Sequence, residues 1–151
     1  MMMIMFHKPV MLKEAIDSLE IKDSGVYVDL TFGGGGHSKE ILQRINDDGR
    51  LIAFDQDESA IKNKIDDSRV MLLKQNFIYL KQNLKYLKIS KVDGILADLG
   101  VSSFQFDSKD RGFSFENDSN LDMRMNQESS IDAIEILNNY SEANLANIFF
   151  N

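Results

Sequence analysis

Four consecutive glycines, Gly33 to Gly36, follow an apolar run and precede a helical pattern, and nothing else in the chain restricts its fold as strongly. Upstream, Val26-Tyr27-Val28-Asp29-Leu30 has the length and β-branched character of a short buried strand. Downstream, residues 38–45 carry Ile41, Leu42 and Ile45 on one helical face. A strand–glycine–helix junction offers backbone without Cβ atoms where a ligand comes close. The helix start adds unpaired N–H groups and the positive end of a dipole.

Three ligand classes compete for such a loop. A phosphate-binding P-loop requires a lysine after the glycines, and none precedes the helix here. A dinucleotide fingerprint, G-x-G-x-x-G, is met by Gly33 and Gly35 but has Ser38 in its third place. S-adenosylmethionine, which lacks the pyrophosphate, needs the glycines without a strict third one. An NAD(P)-dependent oxidoreductase therefore stays open as an alternative to a methyl-transfer protein. Both readings need an acid at the end of the second strand to accept hydrogen bonds from a ribose diol. Asp55 ends the apolar run Leu51-Ile52-Ala53-Phe54 and lies 20 residues after Gly35. Asp57 reads as the cap of the next helix.

The pattern continues as a strand–helix alternation. A helix is expected over 11–19, another over 58–65, a third strand over 70–73 and a fourth over 92–99. Between the last two, Phe77, Leu80, Leu84 and Leu87 make an amphipathic stripe. Alternation of this kind implies crossover units and a parallel sheet buried on both faces. The expected class is α/β, a parallel sheet with flanking helices. Residues 102–128 change character and read as a long loop, a feature usually tied to function. A helix carrying Ile131, Ile134 and Leu137 is expected to begin at Ser129-Ser130, and Ser141 to cap another.

Several strand ends supply candidate site residues. Phe77 follows the third strand and suits either an adenine contact or the core. Asp98 ends the fourth strand on the edge shared with the glycine loop, where a carboxylate acts electrostatically beside a sulfonium. His37 suits a ligand contact or a helix start. The loop interleaves Arg111 and Arg124 with Phe104, Phe106, Phe113 and Phe115, a pattern that fits an unpaired nucleic-acid strand. Spacing alone slightly favours a core role for those phenylalanines.

Composition narrows the classes further. The 17 basic and 24 acidic residues give a net charge of −7, which excludes a polybasic tail but not a local basic patch. For an RNA substrate, Lys8, Lys109, Arg111 and Arg124 are expected to flank the carboxyl edge of the sheet. Cysteine is absent, so disulfides, thiolate metal sites and a cysteine nucleophile are too. The two histidines are far apart in sequence and no metal is expected. No apolar run spans a membrane and the first six residues make no convincing signal peptide, so a cytoplasmic protein is expected.

These residues together resemble the bacterial small-subunit ribosomal RNA cytosine-N4 methyltransferase family. The likeness is carried by His7-Lys8-Pro9-Val10-Met11, by residues 27–38 (YVDLTFGGGGHS) and by residues 93–107 (DGILADLGVSSFQFD). Arg111-Gly112-Phe113-Ser114-Phe115 and Leu121-Asp122-Met123-Arg124-Met125 continue it in the same order. Phe104 stands where the family usually has proline. The resemblance implies a Rossmann-like fold, S-adenosyl-L-methionine as cofactor and the N4 amine of a cytosine in small-subunit ribosomal RNA as substrate. Cofactor contacts carry over onto Gly35, Gly36, His37, Asp55, Phe77, Asp98 and Gln105. Asp98 is the strand-end carboxylate nominated for catalysis.

It also implies a domain plan in which residues 1–128 form the methyltransferase core, with 100–128 as a substrate-side loop, and 129–151 begin a helical insertion. Family members continue beyond this length, so a non-catalytic cofactor-binding fragment is a further alternative. An uncovered apolar face and an open strand edge make self-association expected.

Overall fold

The structure, a computed structural model, describes residues 9–150. His7 and Lys8, two residues of the opening block, lie outside the described residues. Two compact units divide after Leu99.

The first unit is built around β1 (Val26–Asp29), β2 (Arg50–Asp55), β3 (Val70–Lys74) and β4 (Gly94–Leu96). They form one parallel sheet in the order β3-β2-β1-β4, so β1 is central and the order reverses beside it. This is the expected Rossmann-like arrangement, and a ligand crevice belongs at the carboxyl ends of the strands, next to that reversal.

Alternation along the strands divides the apolar side chains between two faces. Tyr27, Leu51 and Leu96 meet Ile16 of α1 (Leu12–Ser18) and Ile41 and Leu42 of α2 (Gly36–Arg44) on one face. Val28, Ile52 and Phe54 meet Leu80 and Leu84 of a helix, α4 (Leu80–Tyr86), on the other. A single 3-10 turn, Phe77–Tyr79, leads into that helix, so the expected stripe is realised in two joined pieces. Among the described residues β4 pairs with β1 alone, and Ile95 and Leu99 are exposed.

Two elements are shorter than the sequence suggests. The helix expected over 58–65 is α3 (Glu58–Ile61). Its last turn tightens, with the Asn63 and Lys64 amides donating three residues back to Ala60 and Ile61. β4 is paired over three residues rather than eight, because the Asp98 amide leaves the ladder to donate to Thr31 Oγ1 at 2.8 Å.

The second unit holds α5 (Ser103–Asp107), α6 (Ala133–Asn139) and α7 (Glu142–Phe150). α5 falls inside the stretch expected to be a loop. Ser102 and Gln105 form a reciprocal cap: the Gln105 amide donates to Ser102 Oγ at 3.2 Å, and the Ser102 amide donates to Gln105 Oε1 at 2.9 Å. α6 begins three residues later than Ser130, because Asp132 caps it by accepting from the Glu135 amide at 2.8 Å. Ile131 therefore lies outside the helix. Ser141 does cap α7, accepting from the Asn144 amide at 3.3 Å.

Residues 111–134 are tightly fastened. Arg124 grips the Asp122 carboxylate with Nε and Nη2 at 2.9 and 2.5 Å and the Ser129 carbonyl with Nη1. Arg111, 3% exposed, donates to the Arg124 and Met125 carbonyls at 2.8 and 3.3 Å, and its guanidinium sits 5.9 Å from the Phe113 ring centroid.

Candidate functional site

At the carboxyl edge of the first unit's sheet two carboxylates, buried Asp29 and half-buried Asp55, fasten the glycine loop. Asp29, the last residue of β1, is fully buried. Its Oδ1 accepts from the Thr31 amide at 3.0 Å and its Oδ2 accepts from Ser38 Oγ at 2.6 Å. One side chain therefore holds both ends of the glycine loop, the exit from β1 and the first turn of α2. Burial pushes the Asp29 carboxyl above the usual aspartate range, and the Ser38 and Thr31 bonds pull against that.

Asp55 ends β2 as expected. Its Oδ2 accepts from the Gly33 amide at 2.8 Å and its Oδ1 from the Asp57 amide at 2.9 Å. It thus ties the first glycine to the start of α3. Its carboxyl is also raised, chiefly by burial, with the Asp57 and Gly33 amides opposing. Each carboxylate oxygen accepts more than one bond, so these contacts leave capacity for hydroxyl donors. Asp57 caps α3 as expected, accepting from the Ser59 amide at 2.9 Å.

Between these anchors the loop takes a shape that needs glycine. Gly33 and Gly35 have φ of 52° and 75°, in the left-handed region. A Cβ on Gly35 would also lie 2.9 Å from Phe32 Cζ. Gly34 is exposed and a Cβ there would meet nothing within 4 Å, so the loop has an open side. Open backbone over a helix start, with an acid fixed beside it, is chemically suited to a nucleoside ligand.

The remaining first-unit candidates join the same edge. The Asp98 amide bond to Thr31 ties the end of β4 to the loop, and Asp98 itself is exposed. His37 is buried in the first turn of α2, with its Nε2 3.2 Å from the Val10 carbonyl. Phe77 is half-buried after β3 and packs against the Val28, Ile52 and Phe54 cluster. Asn76 just before it donates to Gln56 Oε1 at 3.0 Å, joining the ends of β3 and β2. Gly35, Gly36, His37, Asp55, Phe77 and Asp98 are thus gathered on one edge. Gln105 belongs to the second unit, buried in the α5 cap.

Sequence reasoning missed Asp29 and Ser38, although an acid closing the strand and a hydroxyl in the next helix's first turn were both visible. It also misjudged the second unit's aromatics and cations. Phe104, Phe106 and Phe115 are exposed rather than core, while Arg111 is buried and spent on carbonyls. Lys109 is exposed, and Lys8 lies outside the described residues. Among the described residues no helix is long and apolar enough to cross a membrane.

Comparison with known proteins identifies the family. The sequence profile of the MraW methylase family matches residues 4–151. Relatives named ribosomal RNA small subunit methyltransferase H match most of the chain, and three of them illustrate the similarity. The one from Christiangramia forsetii is 53% identical over 150 residues, covering 99% of this chain and 50% of the relative. That from Flavobacterium psychrophilum is 57% identical over 139 residues, covering 92% and 48%. The Bacteroides fragilis protein is 53% identical over 145 residues, covering 96% and 48%. The chain spans about half the length of these relatives.

Proposed function

Because the chain belongs to the MraW methylase family, we propose that it is the cofactor-binding part of an S-adenosylmethionine-dependent methyltransferase. Its substrate in this reading is the N4 amine of a cytosine in small-subunit ribosomal RNA, and its place is the cytoplasm. The observation that carries the proposal is the glycine loop pinned between Asp29 and Asp55 with its Gly34 side open. The relatives' name supports the RNA substrate. Residues 1–128 are then the methyltransferase core and 129–151 the opening of a helical insertion.

When bound, the cofactor supplies an electrophilic methyl group on a sulfonium. The chain's residues do the holding. Gly35, Gly36 and the His37 amide present backbone to it, Asp55 accepts from its ribose hydroxyls, and Phe77 offers an apolar face to the adenine. The cytosine amine is a weak nucleophile because its lone pair is delocalised into the ring. Reaction depends on in-line positioning and on an acceptor for the amine proton. Asp98 takes that role, since its carboxylate is exposed at the edge where its own amide is fixed to Thr31. The base must be unpaired or flipped to reach it.

The half-length coverage favours a second reading, in which this chain binds the cofactor without turning over on its own. Calorimetry with S-adenosylhomocysteine and NAD, paired with radiolabelled methyl transfer to small ribosomal subunits, tests both. Tight S-adenosylhomocysteine binding with methylation supports the first reading, and binding without methylation the second. Equal or tighter binding of NAD refutes both.

A further inference from the structure

The short segment ahead of α1 is built against the glycine loop. A Cβ on Gly36 would lie 2.2 Å from Pro9 Cγ and 3.0 Å from Pro9 Cδ. Gly36 opens α2 without a positive φ, so its backbone would accept alanine, the better helix former. The missing Cβ answers to the Pro9 ring. One residue on, buried His37 points Nε2 at the Val10 carbonyl, 3.2 Å away. A carbonyl only accepts, so Nε2 carries the proton. Met11 then turns the chain into α1 from a left-handed conformation, φ 48°, and its carbonyl accepts from the Ala15 amide at 2.8 Å. The Val10 and Met11 side chains remain 64% and 65% exposed.

We propose that Pro9, Val10 and Met11 form a strap that positions the glycine loop for its cofactor, docked through Gly36 and His37. In this role the His37 ring is a positioning group spent on the strap, and only its amide faces the ligand. The inference rests on the cofactor reading above.

A double-mutant cycle on the chain separates the strap from the loop. Gly36→Ala forces Pro9 away, whereas Gly36→Ala with Pro9→Ala removes the atoms at 2.2 and 3.0 Å. S-adenosylhomocysteine affinity is read by calorimetry and Tm by circular dichroism. Gly36→Ala is expected to weaken binding roughly tenfold, within the range for coupled neighbours, and to lower Tm. The double variant should return to about the affinity of Pro9→Ala alone, with Tm restored. His37→Gln, which keeps an N–H donor, should bind more tightly than His37→Ala.

If Gly36→Ala and the double variant bind equally poorly, the added Cβ meets the ligand itself and the strap has no positioning role. Recovery of Tm without recovery of affinity also overturns it, leaving a purely structural contact. Failure of the unaltered chain to bind overturns the cofactor reading and the strap together. Binding by the unaltered chain without rescue overturns the strap alone.

Discussion

Replacing Asp29 by alanine removes the one side chain that holds both ends of the glycine loop. Two hydrogen bonds to a carboxylate disappear, at 2.6 Å from Ser38 and 3.0 Å from the Thr31 amide. Each is worth about 1.5–3 kcal/mol, so the loss has a ceiling of about 3–6 kcal/mol. Against this, the carboxylate is fully buried and its charge is disfavoured there, so removing it returns part of the desolvation cost. The net expected loss is about 2–4 kcal/mol for Asp29→Ala. Asp29→Asn keeps an acceptor for Thr31 and offers Ser38 an amide donor, and should cost about 1 kcal/mol or less.

Urea denaturation at neutral pH reads both values, with the m-value unchanged if the two ends of the transition are unaltered. The pH dependence adds a sign. Because the folded Asp29 pKa lies above its unfolded value, the native state holds more protons between the two. Stability from this group therefore rises as pH falls through the folded value toward the ordinary aspartate range. Asp29→Asn lacks that gain, so the variant and the unaltered chain should diverge on acidification. A loss below about 1 kcal/mol in Asp29→Ala, or equal losses in the two variants, would refute the pinning argument.

Other substitutions probe the neighbouring contacts. Asp55→Ala should weaken S-adenosylhomocysteine binding by about 1.5–3 kcal/mol in calorimetry, and speed hydrogen exchange at the Gly33 and Asp57 amides it now holds. Asp67, held down at about 2 mainly by the Arg69 guanidinium, contributes stability above its ordinary value that is lost as pH falls toward about 2. Melting curves of Asp67→Asn should therefore converge on those of the unaltered chain over that acid range. Arg111→Lys replaces a planar guanidinium, whose Nη2 donates to two carbonyls, by a point charge, with an expected cost to the second unit of about 1.5–3 kcal/mol. Faster exchange of the Met123 amide, which donates to the Arg111 carbonyl, is its local signature.

Periodicity reveals elements whose neighbours are near in sequence. The runs at 26–30 and 51–55 read directly as β1 and β2, and Asp55 was identifiable from its distance to Gly35. Caps were legible but overlooked: Ser102 to Gln105 and Asp132 to Glu135 both carry the spacing of an N-terminal cap with its third-residue partner. Tertiary contacts left no local trace. Nothing near Gly36 announces Pro9, 27 residues away, and nothing near Arg111 announces that its guanidinium is consumed by carbonyls at 124 and 125. The lengths of α3 and β4 were misread for the same reason. The apolar pattern persists past the point where the backbone turns to other partners.

The central position of β1 also sets an order of events during synthesis. Its outer neighbour β4 pairs Tyr27 with Gly94, and the bonds from Val26 to Asp93 and from Asp98 to Thr31 each span 67 residues. At about 5–20 residues per second, a translating ribosome needs roughly 3–13 seconds to supply that stretch. Once residues 50–55 have emerged, β1 has β2 on one side and, until β4 follows, an open ladder on the other. The glycine loop, already tethered by Asp29 and Asp55, gains its last fastening only when residue 98 has emerged. This edge of the sheet is thus completed late, and a pause in translation before that codon would prolong the exposure of the unpaired ladder of β1.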